Sequence, residues 1–210
     1  MAVLGLALGG CGLTGAGPIT ARSVNNQFDL QLLPTLRAYS SLDKNTADIY
    51  LTDLPREVLA LGAPLNDSSG QILHVHLFIS PEAGETPIDH TACSVAVRLV
   101  IISRGQIGMY GGGGFLLPDS DPGDATFAGD MRGATLRFLG STPGFADRLG
   151  PAELSGSIEA PKDDATSTLV ARRLDELLGR LKSPPPTTTP EPAKSEPAKT
   201  EPSKPEPGKP

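Results

Sequence analysis

Residues Gln71 to Ser80 read QILHVHLFIS, and residues Ser94 to Ser103 read SVAVRLVIIS. In the first stretch Leu73, Val75, Leu77 and Ile79 alternate with polar or aromatic residues. In the second, Val95, Val97, Leu99 and Ile101 share a face, and β-branched residues dominate. A period of two over such lengths is the signature of strands with one face buried. Arg104-Gly105 follows as a turn signal, and Gln106 to Tyr110 (QIGMY) then reads as the returning strand of a hairpin.

The same period extends outward. Phe28, Leu30 and Leu32 alternate with Asp29 and Gln31. Ile49 and Leu51 lie in ADIYLTDLP, where Pro55 ends the run, and a short helical turn is expected at Arg56 to Leu61. Ala134, Leu136 and Phe138 alternate with Thr135 and Arg137, and Leu154 to Ala160 (LSGSIEA) is a last, weaker strand. Turn clusters separate these runs at Asn66 to Gly70, Asp119 to Asp124 and Gly140 to Gly144. No helical pattern alternates with the strands, so βαβ units are disfavoured. One helix closes the series. Val170, Leu174, Leu177, Leu178 and Leu181 form an apolar stripe at helical spacing. Asp163, Asp164 and Thr166 supply capping oxygens, and Arg172–Glu176 and Glu176–Arg180 are expected as ion pairs. The expected fold is mainly β or α+β: an antiparallel sheet or β-sandwich closed by one C-terminal amphipathic helix at about 164–182.

Composition divides the chain further. Of 210 residues, 21 are Pro, and ten of these lie in Ser183 to Pro210. There the sequence repeats every five residues as PEPAK, SEPAK, TEPSK, PEPGK. Glu and Lys cancel, and no large apolar side chain offsets the entropy of ordering, so 183–210 reads as a disordered tail. The net charge of −6, with no basic block, argues against nucleic acid. No apolar run is long enough to span a bilayer as a helix.

The N-terminus carries an address. Met1 to Gly10 (MAVLGLALGG) contains a short apolar run, and Leu8-Gly9-Gly10-Cys11 resembles the lipobox of bacterial lipoproteins. The chain departs from that pattern in having no Lys or Arg ahead of the run. The resemblance covers only these residues. It implies a signal peptide at 1–10, cleavage before Cys11, acylation of Cys11, and a flexible tether over 11–23. It also implies a cell-envelope protein whose membrane partner is lipid, reached through acylated Cys11. By analogy with enterobacterial sorting, Gly12 rather than Asp after the cysteine favours the periplasmic face of the outer membrane over the inner membrane. A single strand-rich domain is then expected over 24–182.

Candidate chemistry within the domain is sparse. His74 and His76 are two apart on a strand and project from one face, and His90 and Cys93 follow with HxxC spacing. If that strand lay beside the loop at His90, three imidazoles and a thiolate could hold zinc or copper. The competing reading leaves His74 and His76 on the wetter face of a strand whose core face is Leu73, Val75 and Leu77. The run Gly111-Gly112-Gly113-Gly114 either admits a ligand or neighbouring backbone closely, or marks a bulged corner. It is not a P-loop, since no Gly-Lys-Ser/Thr follows. Asp119, Asp121, Asp124 and Asp130 lack the Gly and Glu of an EF-hand loop and suit a turn. Ser41 and Lys44 match SxxK, but no companion motif accompanies them, and neither GxSxG nor HExxH occurs. No catalytic residue and no cofactor is therefore expected. The leading expectation is a non-enzymatic envelope component that binds a partner protein, a cell-wall element or an assembly. A ligand- or metal-binding module at His74, His76 and the glycine run is second, and a hydrolase without a recognisable motif is third.

Overall fold

A computed structural model describes residues 18–81 and 93–182. The expected signal peptide, Cys11, the first part of the expected tether, His90 and the expected disordered tail lie outside the described residues. Nine strands form one antiparallel sheet: β1 (Ile19–Ser23), β2 (Asp29–Leu32), β3 (Leu36–Ser40), β4 (Ala47–Thr52), β5 (Gly70–Leu77), β6 (Val95–Ser103), β7 (Gln106–Pro118), β8 (Thr126–Ser141) and β9 (Ala152–Pro161). Their order across the sheet is β2-β1-β9-β8-β7-β6-β5-β4-β3. Two helices complete the fold, a single turn α1 (Arg56–Leu59) and the long α2 (Asp164–Lys182).

Nearly every strand pairs with its neighbour in sequence, as short connections and alternating strands demand. At Arg104-Gly105 both residues have positive φ, 48° and 76°, the requirement of a two-residue primed turn, and Ser103 pairs with Gln106. The exception is the step from β2 to β3, which lie at opposite ends of the order, and β1 joins the β1–β2 hairpin to the rest of the sheet by pairing with β9 as well as β2. Residues 19–23 therefore belong to the sheet and not to a tether, so the domain begins ahead of residue 24.

The sheet curls into a half-barrel around one face. Register shifts interrupt the β7–β8 ladder at Met109/Tyr110 and Gly113/Phe115, and the β8–β9 ladder at Met131/Ala134. Such bulges bend a strand and increase its twist. The curl brings β3 to the end of β9, where Tyr39 bridges Lys162 and Asp163 N–H donates to Tyr39 O at 3.0 Å. Inside lie the alternating residues of the sequence pattern: Ile49 and Leu51, Leu73 and Val75, Val97 and Leu99, with Tyr110, Phe127, Leu136 and Leu154 opposite. One sheet wraps its own core, where a sandwich would use two.

The outer face is covered by α2. Val170, Leu174 and Leu177 pack on Tyr50, Ile72, Val100 and Ile107, together with Leu54, Leu59 and Leu65. Burying each of these aliphatic side chains contributes about 1.5–3 kcal/mol. The helix starts where Asp163 accepts from Thr166 N–H at 2.9 Å and from its hydroxyl at 2.6 Å. One detail departs from the sequence expectation. Glu176 pairs with Arg180 at 2.7 Å as expected, but its second partner is Arg173, also at 2.7 Å, and not Arg172. Arg173 is completely buried and also donates to Ala63 O at 2.7 Å, fastening α2 to the chain after α1.

Candidate metal site on the outer face

The β4–β5 and β5–β6 registers assemble the site. Asp48 pairs with His76, Tyr50 with His74, His74 with Arg98, and His76 with Ala96. Directly paired residues on antiparallel strands project from the same face. All six side chains therefore share the outer face, because the core face is taken by Ile49, Val75 and Val97. This is the side on which α2 packs, so His74 is nearly enclosed, 7% exposed, while His76 and Asp48 are half-buried.

Both imidazoles converge on one oxygen. His74 Nε2 and His76 Nδ1 each lie 2.8 Å from Asp48 Oδ1. An ionised carboxylate only accepts hydrogen bonds, so both facing nitrogens carry their ring proton. Burial pushes the Asp48 carboxyl up. The hydrogen bonds from His74 and His76 and the electrostatic pull of both rings outweigh it, and the carboxyl ends below its ordinary range. Tyr50 stacks on His74 with ring centroids 4.6 Å apart and planes within 4°. Burial first, then the negative charges of Asp48 and Asp175, push the Tyr50 phenol up to about 12, so it stays protonated and neutral. The second nitrogen of His74, Nδ1, is buried without a hydrogen-bond partner. The ring is thus oriented by its stack on Tyr50 and by Asp48.

Asp48, His74 and His76 are the one group of three or more metal-ligating residues among the described residues whose ligand atoms lie within 4.8 Å of one another. Zinc binds nitrogen and carboxylate oxygen at about 2.0–2.2 Å. Two donors on a shared tetrahedral ion therefore stand about 3.4 Å apart, so Asp48 Oδ1 needs to part from each imidazole by roughly half an ångström to admit one. The set opens into a cavity of about 270 Å³ lined by Asp48, His74, His76, Ala96 and Arg98. Three protein donors with an adjoining space leave a coordination position for water or a ligand.

The expected site is thus half kept and half exchanged. His74 and His76 come together, and their third partner is Asp48. Cys93 is exposed and its thiol points at Val95 O, 3.2 Å away, outside the cluster. His90 lies outside the described residues. Asp48 was missed because ADIYLTDLP reads only as a strand, and nothing in the sequence places it opposite His76. The glycine run lies within β7, paired with β6 on one side and β8 on the other. A Cβ at Gly112 would stand 1.8 Å from Thr135 O, and one at Gly114 2.6 Å from Ala134 Cα. The close approach that these glycines allow is that of the flanking strands. Asp121 and Asp124 close a turn on themselves, with Asp124 N–H donating to Asp121 O and Asp121 N–H to Asp124 Oδ2.

Among the described residues no helix is long and apolar enough to cross a membrane. Compared with known proteins, the chain matches no family model, no curated protein and no solved structure.

Proposed function

We propose that the chain is a lipid-anchored cell-envelope protein whose curled sheet binds a divalent transition-metal ion at Asp48, His74 and His76. The observation that carries the metal reading is the convergence of His74 Nε2 and His76 Nδ1 on Asp48 Oδ1 at 2.8 Å each. Imidazole and carboxylate together suit Zn²⁺, Fe²⁺, Ni²⁺ or Cu²⁺. To ligate through Nε2, His74 moves its proton to Nδ1, where no acceptor waits. Nδ1 is buried without a partner in either tautomer, so the proton shift exchanges one unsatisfied buried group for another and adds little to the cost of binding. The envelope address rests on the lipobox resemblance at Leu8 to Cys11, with acylated Cys11 holding the domain at the periplasmic face of the outer membrane.

Two experiments test the two halves separately. Full-length protein purified without a tag is expected to take up one equivalent of Zn²⁺ or Co²⁺ with micromolar or tighter affinity, and His76→Ala to lose it. Substoichiometric uptake, or uptake unaffected by His76→Ala, overturns the metal reading. Cys11→Ser is expected to abolish lipid labelling and membrane fractionation, and a membrane-bound variant overturns the anchor. A partner-binding role for the domain has its support in the address and the tail alone. Affinity capture with and without residues 183–210 tests that role.

A further inference from the structure

The cavity beside Asp48, His74 and His76 shares one wall residue, Arg98, with a neighbouring cavity on the same face. This second cavity, of about 430 Å³, runs between the sheet and the C-terminal half of α2. The walls of that second cavity are Met109, Leu139, Leu178 and Leu181, with Asp175 on the helix side. The position of the Leu139 wall has a local cause. Arg98 faces Gly111 across the β6–β7 ladder, and the space where a Cβ would stand on Gly111 is taken by Leu139 Cδ1, 2.6 Å away. Leu139 sits at the register shift between Met109 and Tyr110. It lies over the glycine as a wall of the slot and stays half exposed. Gly140, which pairs with Met109, adds no side chain, and nothing stands within 4 Å of where its Cβ would be.

Charge is placed asymmetrically along this path. Arg98 is exposed and, among the described residues, no carboxylate forms an ion pair with it. It stands directly opposite His74, next to the open coordination position. A guanidinium binds carboxylates through a planar fork of donors. The volume falls in the range of small-molecule sites, and the walls are apolar, as such sites require. Asp175 disfavours a second anionic group at the helix side of the slot.

We infer that the two cavities form one ligand site for a small monocarboxylate with an apolar tail. Its carboxylate lies between the bound metal ion and Arg98, and its hydrocarbon lies between Leu139 and Leu178. The metal contact rests on the reading proposed above, whereas the contacts to Arg98 and the slot do not depend on it.

Octanoate is the probe. It is titrated into the full-length chain with and without Co²⁺, followed by calorimetry and by the visible absorption of the ion. Octanoate is expected to bind both forms, the Co²⁺ form more tightly, and to change the Co²⁺ spectrum. Acetate and octanol are expected to bind roughly tenfold or more weakly, since each lacks one half of the recognition. Arg98→Met is expected to weaken octanoate roughly tenfold while Co²⁺ uptake is retained or strengthened, since a positive charge beside the ion is removed. Leu178→Ser is expected to weaken octanoate and leave acetate unaffected. Absence of octanoate binding to folded wild-type protein, or equal affinity in Arg98→Met, overturns the inference. If Co²⁺ fails to bind while octanoate binding still depends on Arg98, the metal reading falls and the carboxylate site stands.

Discussion

Asp48 on β4 and His76 on β5 face each other across the ladder, and Nδ1 of the imidazole donates to Oδ1 of the carboxylate at 2.8 Å. The same oxygen accepts from His74 two residues earlier on β5. Replacing Asp48 by Asn keeps the shape and an acceptor oxygen but removes the charge. Asp48→Asn is expected to fold normally and to lose Zn²⁺ affinity by at least about tenfold, measured by competition with a chromophoric chelator. Wild-type affinity in this variant would move the centre of the site elsewhere.

Acid is expected to weaken the protein through two named carboxylates. Glu176 accepts from Gly62 N–H, and that bond, with those from Arg173 and Arg180, outweighs desolvation and lowers its pKa from 4.5 to about 2. Asp48 is also lowered, from 3.8. A carboxylate with a depressed folded-state pKa stabilises the fold above its unfolded pKa, and that stability is lost as pH falls toward the folded value. Stability should therefore fall between about pH 5 and pH 2. Chemical denaturation across this window is expected to show a shallower loss in Glu176→Gln than in wild type. Parallel curves would remove Glu176 from the acid response.

The glycine run makes a sharp steric prediction. Gly112→Ala places a methyl group 1.8 Å from Thr135 O, a backbone atom that cannot move without breaking the β7–β8 ladder. A loss of several kcal/mol, about 3 or more, or failure to fold, is expected. Gly140→Ala meets nothing within 4 Å and should be neutral or stabilising by up to about 1 kcal/mol. The pair is compared by thermal melts, and similar Tm values in both variants would refute the close approach of β8 to Gly112.

Arg173 is buried with its guanidinium on Ala63 O and Glu176. Arg173→Met leaves the Ala63 carbonyl without this donor and is expected to destabilise by about 2–4 kcal/mol. The exposed neighbour Arg172 serves as the control, with Arg172→Met within about 0.5 kcal/mol of wild type. Equal effects at the two positions would refute the assignment of Arg173 as the fastening residue.

Much of the fold was legible because local periodicity reports burial. The alternation in QILHVHLFIS and SVAVRLVIIS identifies β5 and β6, and the stripe from Val170 to Leu181 identifies α2. Two strands were not legible. In Ile19–Ser23 the inward residues after Ile19 are the small Ala21 and Ser23, and in Leu36–Ser40 the adjacent Ala38 and Tyr39 are both buried, so neither stretch carries a clear apolar alternation. Arg173 was unreadable for a related reason: an arginine at the margin of an apolar stripe is ordinarily solvated, and only the position of Ala63 draws it inward.

The sequence by itself determined that this chain folds as alternating strands with one amphipathic helix, since each pattern depends on residues a few positions apart. It also showed that His74 and His76 share a face, because two residues along a strand always do. Which face, and with what company, was decided by tertiary structure. Asp48 reaches His76 from 28 residues away through the antiparallel register, and Arg98 reaches His74 from the other side. Register is set by the curl of the whole sheet and by the helix laid over it, and no local pattern carries that information.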